Sequence, residues 1–188
     1  MGHDPAREPP FFFTKPADTI VEDGAKIPFP ALTKNLHHEA ELVVALHKGG
    51  QNISASAANE HIFGYAAGND LTRRDLQAEA KAMRRPWDWG KAFDQSAPCS
   101  AIMPVSDIGL LTSARITASV DGDIRQDSNI DQMIWPVADI IAALSASVRV
   151  EPGDLIYTGT PAGVGAITPG QTVTVTVEGV GQVATTIG

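Results

Sequence analysis

Residues 36–46 read LHHEAELVVAL, and this stretch decides how the rest of the chain is interpreted. With a period of two, its even-numbered positions form an apolar core face: His38, Ala40, Leu42, Val44 and Leu46. The odd-numbered face is acidic at one end and apolar at the other: His37, Glu39, Glu41, Val43 and Ala45. The pattern predicts one strand whose odd face reaches the rim of a pocket. An edge strand whose outer face meets water is the alternative.

The acidic end of this face matters because Glu39 and Glu41 point the same way. At about 3.4 Å per residue their Cα atoms would lie roughly 7 Å apart, so both carboxylates can converge on one point. Two like charges at that distance repel unless a proton or a cation lies between them. The spacing therefore suggests a cation site.

The composition is that of one ordinary globular domain. The chain has 188 residues, of which 43% are hydrophobic and 19% charged, with a net charge of −8. This charge argues against a nucleic-acid surface, which needs clustered basic residues. The single cysteine, Cys99, fits a reducing compartment and an inert, buried thiol. We find no signal peptide and no run long enough to span a bilayer, so we expect a cytoplasmic protein without membrane contacts.

Periodicity further along the chain predicts a mainly β, α+β fold. FGYAAGND (63–70) is typical of a buried strand. A helix is predicted to follow it; Thr72 and Asp75 resemble a capping box at its start, and it should end before Pro86. Asp121-Gly122 predicts a two-residue hairpin, and residues 137–148 carry one apolar helical stripe. LIYTG (155–159) and an alternating hairpin over 171–188 complete a single domain, 1–188.

Three further positions could carry chemistry. Asp70 lies where a strand meets a helix, and three carboxylates without cysteine favour Mg²⁺ or Mn²⁺ over zinc, although an acid at such a junction more often caps a helix. Lys91, among aromatic residues, is either a surface residue whose stem covers apolar neighbours or a desolvated cation for an anionic substrate. Thr160, in the glycine-rich loop GTPAGVG, could offer its hydroxyl to a carboxylate.

Four fragments in this order resemble the fumarylacetoacetate hydrolase family: LHHEAEL, GYAAGNDLTRRDLQ, GKAFDQSAP and DLIYTGTPAGVG. MGHDPAREPPFFFTKPADT and PWDWGKAFDQSAP are most similar to its acylpyruvate and fumarylpyruvate hydrolase branch. The resemblance covers nearly the whole chain. It implies a mixed β-sandwich roll of the C-terminal type found in this family, and a homodimer.

The resemblance also implies the site. Mg²⁺ or Mn²⁺, replaceable by Ca²⁺ in crystals, would be held by Glu39, Glu41 and Asp70. The matching substrate contacts are Arg74, Gln77, Lys91 and Thr160, and Lys15 in FTKP is a further candidate. The histidines before Glu39 would be structural.

The implied reaction is hydrolysis of a carbon–carbon bond in a 2,4-diketo acid such as fumarylpyruvate, as in the degradation of aromatic compounds. Lys91 would assist the metal in stabilising the pyruvate enolate. Oxaloacetate decarboxylation, diene-dioate isomerisation, or weak activity in a protein that binds metal and dicarboxylates are the alternatives.

One departure from the family pattern concerns the base. Active members usually carry a histidine, and a glutamate three residues later, just upstream of a sequence like MGHDP. His3 does not fit, because Ala6 stands three positions on. Either the given chain is shortened at its N-terminus or the protein needs the metal but not this base.

Overall fold

The computed structural model describes residues 8–188, which contain 14 β-strands and five α-helices. The first seven strands are β1 Ile20–Val21, β2 Ala25–Ile27, β3 Leu36–His38, β4 Ala40–Leu46, β5 Ile62–Asn69, β6 Thr72–Arg73 and β7 Ala97–Pro98. The others are β8 Met103–Pro104, β9 Arg115–Val120, β10 Asp123–Asn129, β11 Leu155–Tyr157, β12 Gly165–Ile167, β13 Thr172–Val177 and β14 Gly181–Ile187. The helices are α1 Ala55–Ala58, α2 Arg74–Ala82, α3 Asp88–Lys91, α4 Val105–Ile108 and α5 Val137–Ser147. Strands thus dominate. His3 lies outside the described residues.

The strands form mixed sheets around one main core. The largest sheet has the order β10-β9-β13-β14-β2, antiparallel except for the parallel pair β14-β2, and a second sheet has the order β11-β4-β5-β8. A third sheet, β12-β3-β6, and the pair β1-β7 lie beside them. The inward faces of the two larger sheets share one hydrophobic cluster that includes Leu42, Val44, Val175 and Val183. No helix within residues 8–188 is long and apolar enough to cross a membrane.

Most of the predicted elements are present. The predicted buried strand is β5, the predicted helix before Pro86 is α2, and the apolar stripe from Val137 onward is α5. Asp121 and Gly122 form the two-residue turn of the β9–β10 hairpin, with φ of 52° and 90°. Both residues therefore have the positive φ that such a turn requires.

The prediction of one continuous strand over 36–46 is wrong. Residues 36–38 pair with β12 and β6, whereas residues 40–46 pair with β11 and β5, so the chain changes sheets at Glu39. The edge-strand alternative is also wrong, because β4 is an inner strand and is buried on both faces. The odd face packs Val43 against Ala66 and Tyr157 in a second small cluster.

The predicted capping box does not form. Thr72 belongs to β6, and helix α2 begins after Arg73 without a side-chain cap. Asp75 instead accepts hydrogen bonds from the Thr33 hydroxyl at 2.5 Å and from the Lys34 backbone N–H at 2.9 Å. The acid thus ties the helix to the loop before β3, a tertiary role that helix periodicity does not reveal.

Candidate active site

The ends of two neighbouring strands bring the predicted metal ligands together. In the β4–β5 ladder Ala40 lies opposite Asn69, so Glu39 and Asp70 adjoin the same end of the ladder. The Asp70 N–H donates to the Glu39 carbonyl at 2.9 Å, and the Glu39 N–H donates to the Asn69 side chain at 3.0 Å. The sheet, rather than a loop, therefore sets the separation of the acids.

Gly68 in β5 leaves room for side chains of the neighbouring strands. A Cβ at this position would lie 2.4 Å from the Val43 side chain and 2.6 Å from the Tyr157 ring. The missing side chain lets that ring pack directly against the β5 backbone at Gly68, the residue paired with Glu41.

Glu39, Glu41 and Asp70 form a buried carboxylate cluster. One oxygen of each lies within 4.8 Å of the others, and the residues are 7%, 4% and 1% exposed. An all-carboxylate set of this size suits a hard divalent cation. The donor chemistry therefore fits the predicted metal.

Lys91 is the principal positive charge at the cluster. Its Nζ donates to Glu39 at 2.7 Å, to Asp70 at 2.5 Å and to the Thr72 hydroxyl at 2.6 Å. The residue is only 2% exposed, so the surface-lysine alternative is wrong. Helix α3 ends at Lys91 and directs its side chain inward, while the Gly90 backbone packs against Gln77.

Two more cations surround the acids. Lys15 Nζ lies 2.8 Å from an Asp70 carboxylate oxygen and donates to the Lys91 carbonyl at 2.5 Å. Arg74 forms an ion pair with Glu39 and donates to Gln77 Oε1 at 2.7 Å. Arg74, Gln77, Lys91 and Lys15, predicted from separate parts of the sequence, thus lie around one centre.

The acids differ in pKa because their partners differ. Burial, followed by the charges of Asp70 and Glu39, raises the pKa of Glu41 well above its usual value. Burial acts in the same direction on Asp70, but Lys15 and Lys91 outweigh it and lower the pKa of this carboxyl group. Burial lowers the pKa of Lys91, yet Asp70 and Glu39 raise it overall. The two carboxylates therefore favour the ammonium form of Lys91.

The glycine-rich loop contacts the cluster through its backbone. The Gly159 N–H donates to Glu41 at 2.8 Å. Gly159 has φ of +97°, a conformation that favours glycine. The neighbouring Thr160 hydroxyl accepts a hydrogen bond from Gln126 at 2.8 Å, which places this predicted contact beside the cluster rather than on it.

Gln126 is a site residue that sequence reasoning missed. It bonds His38 Nδ1 at 2.9 Å, accepts from the Ala40 N–H at 3.0 Å and holds Thr160. It is almost fully buried, whereas its neighbours on β10 are exposed. Nothing in that polar stretch distinguishes it from a solvent-facing glutamine.

His37 has the contacts of a structural residue. Its Nε2 lies 2.9 Å from the Asn35 side-chain oxygen, and its Nδ1 accepts from Arg74 at 3.4 Å. Burial and the Arg74 charge lower the pKa of His37 to about 4. The ring is therefore neutral near pH 7 and fixed by its neighbours.

The comparison with protein families defines the class. The family described as "Fumarylacetoacetate (FAA) hydrolase C-terminal" matches residues 2–188. The chain belongs to the fumarylacetoacetate hydrolase family, and the predicted fold class is confirmed.

Individual relatives fall into related enzyme types. The chain is 45% identical to the fumarylpyruvate hydrolase of a Ralstonia species over 185 residues, which cover 98% of this chain and 96% of that protein. It is 39% identical to the oxaloacetate tautomerase of Mus musculus, covering 91% and 77%. The crystal structure of fumarylpyruvate hydrolase from Pseudomonas aeruginosa in complex with Mn²⁺ and pyruvate matches with a TM-score of 0.95 and 47% identity, covering 99% of this chain and 82% of that one.

Proposed function

We propose that this protein is a metal-dependent hydrolase that cleaves a carbon–carbon bond in acylpyruvates, with fumarylpyruvate as its substrate. The observation that carries this proposal is the buried cluster of Glu39, Glu41 and Asp70 surrounded by three cationic side chains. The similarity to fumarylpyruvate hydrolases over almost the whole chain supports the same substrate.

The formal charges of the site favour a dianionic ligand. The three acids are balanced by Lys15, Arg74 and Lys91, so a divalent cation would leave two positive charges in excess. Water is largely excluded here, which strengthens each electrostatic interaction. A diketo acid carboxylate together with a developing enolate would supply the two matching negative charges.

The residues around the acids have separate tasks in this reaction. A cation held by Glu39, Glu41 and Asp70 would act as a Lewis acid toward the diketo acid. Water adds to the distal carbonyl carbon, and the bond between that carbon and the pyruvate methylene breaks. The electron pair remains on pyruvate as an enolate, which then takes up a proton, while the acyl group leaves as a carboxylic acid.

Lys91 is the proposed catalytic residue. Its ammonium group lies at the acids, where it would stabilise the developing enolate charge. Arg74, Gln77 and Thr160 would hold the substrate's oxygen atoms, and Lys15 would support Asp70.

We further propose that the native cation is Mg²⁺ or Mn²⁺, that the chain is one catalytic domain forming a homodimer, and that it works in the cytoplasm. The oxygen-only ligand set supports hard cations. The single cysteine fits a reducing compartment. Light scattering coupled to gel filtration measures the oligomeric state, and a monomer at micromolar concentration would contradict the dimer.

Turnover of fumarylpyruvate and of oxaloacetate by the same Mn²⁺-loaded sample tests the function. We expect pyruvate and fumarate to be formed from fumarylpyruvate, and Asp70→Asn to abolish this activity. The similarity to oxaloacetate tautomerases makes tautomerisation the second candidate. Faster conversion of oxaloacetate than of fumarylpyruvate would replace the first assignment with the second.

A further inference from the structure

A second feature lies next to the carboxylate cluster and has no role in the reaction described above. Residues 11–14, residues 85–88 and Lys91 line an open pocket of about 460 Å³, here called the aromatic pocket. The Phe11 ring packs edge-on against Trp87 with centroids 5.3 Å apart, and Phe13 lies 5.7 Å from the same ring. Four of the nine residues that line this pocket are aromatic: Phe11, Phe12, Phe13 and Trp87.

The aromatic pocket adjoins the carboxylate cluster. Lys91 lines the pocket, and its Nζ also binds Glu39 and Asp70. The same Nζ lies 4.9 Å from the centre of the Phe13 ring, and Lys15, two residues further on, contacts Asp70. Lys91 is therefore the boundary that the carboxylate cluster and the aromatic pocket share.

Arg85 gives this pocket a polar end. It lines the pocket, and its side chain is 66% exposed, with a long ion pair of 4.0 Å to Glu79. Its backbone N–H donates to the Ala80 carbonyl at 2.8 Å, which fixes the residue at the end of helix α2. Asp88 contributes one negative charge to the lining, and Lys91 is paired with Glu39 and Asp70, so Arg85 is the cationic side chain of the lining that faces solvent.

This combination fits one kind of acyl group. Aromatic side chains suit a planar, conjugated carbon chain, and a guanidinium group binds a carboxylate through two parallel hydrogen bonds. A fumaroyl group has both properties, whereas an acetyl group has neither and would leave most of the cavity unfilled.

We propose that the aromatic pocket binds the acyl end of the substrate and that Arg85 makes it selective for acyl groups ending in a carboxylate. This inference rests on the proposed function, because it assumes that the pyruvate end binds at Glu39, Glu41 and Asp70. Arg85 is a specificity residue, since it contacts the end of the substrate remote from the bond that breaks.

The test compares fumarylpyruvate with acetylpyruvate in Arg85→Met. We expect kcat/KM for fumarylpyruvate to fall roughly tenfold, the low end for a hydrogen bond to a charged group, because Arg85 is open to solvent. The value for acetylpyruvate should stay within about twofold. Arg84→Met is the matched control: it removes the same charge from an exposed neighbour outside the pocket lining, and it should change neither substrate.

A binding measurement separates this inference from the proposed function. With Mg²⁺ and oxalate saturating the pyruvate end, fumarate is titrated calorimetrically into wild type and Arg85→Met. We expect fumarate to bind to wild type, and to bind about tenfold more weakly to Arg85→Met. If neither diketo acid is hydrolysed but fumarate binding depends on Arg85, the proposed function fails and the pocket assignment stands. Equal losses of kcat/KM for both substrates, or equal fumarate affinity in wild type and Arg85→Met, would overturn the inference.

Discussion

Replacement of Lys91 by methionine is the sharpest test of how the site is held together. Methionine keeps much of the stem but removes an ammonium group that bonds Glu39, Asp70 and Thr72 from a position only 2% exposed. Loss of one partner from a buried ion pair costs about 3–5 kcal/mol, because the remaining charge has no compensation. With an unfolding slope of about 2 kcal/mol per molar urea, the midpoint should fall by roughly 1.5–2.5 M.

The assay is urea unfolding followed by circular dichroism, in EDTA and again with saturating Mn²⁺. The cation supplies positive charge to the same carboxylates, so we expect the gap between variant and wild type to narrow when Mn²⁺ is present. Lys48→Met is the control: this lysine is 54% exposed, pairs with Glu60 at 3.6 Å and should contribute less than about 1 kcal/mol. Equal midpoints for Lys91→Met and wild type in EDTA would refute the claim that Lys91 neutralises the acids.

Three further outcomes are expected. The pKa of Glu41 is raised in the folded state, so its ionisation lowers the free energy of unfolding as the pH rises above the usual carboxyl range. Glu41→Gln should therefore stabilise the metal-free protein at pH 8 relative to wild type. The same variant should bind Mn²⁺ more weakly in calorimetry. Gly163→Ala should destabilise by about 1–3 kcal/mol in urea, since φ is +100° and the added Cβ would lie 2.3 Å from the Arg125 carbonyl; Gly122→Ala, at φ of +90° with open space around it, should cost less. Burial raises the pKa of the Cys99 thiol, so Ellman's reagent should modify it only after unfolding, and rapid reaction of the native protein would contradict its burial.

Local patterns account for the parts of the fold that were predicted correctly. The Asp121-Gly122 turn and helix α5 follow from residues close in sequence, because turn geometry and apolar periodicity act over a few residues. The break at Glu39 does not follow from nearby residues. Strands β3 and β4 are separate because β3 pairs with β12, whereas β4 pairs with β5.

The candidate site, too, has features that local patterns predict and features that depend on contacts between distant residues. The convergence of Glu39 and Glu41 was predicted from their spacing, and Asp70 was added as a third carboxylate because it lies where a strand meets a helix; the family resemblance implied the same three ligands. The full burial of Lys91 was not predictable, because an aromatic neighbourhood is equally typical of a surface lysine. Thr72 was assigned to a helix cap, whereas its hydroxyl accepts a hydrogen bond from Lys91, a contact made across 19 residues of chain.

The acids and the aromatic pocket are built from different kinds of structure. The acids are fixed by backbone hydrogen bonds at the end of a sheet, whereas residues 11–14 and 85–88, which line the neighbouring pocket, lie outside the regular strands. Loops accept changes in length and sequence that a sheet does not. Changes in these segments would therefore reshape the aromatic pocket while the backbone bonds that position Glu39 and Asp70 stay in place.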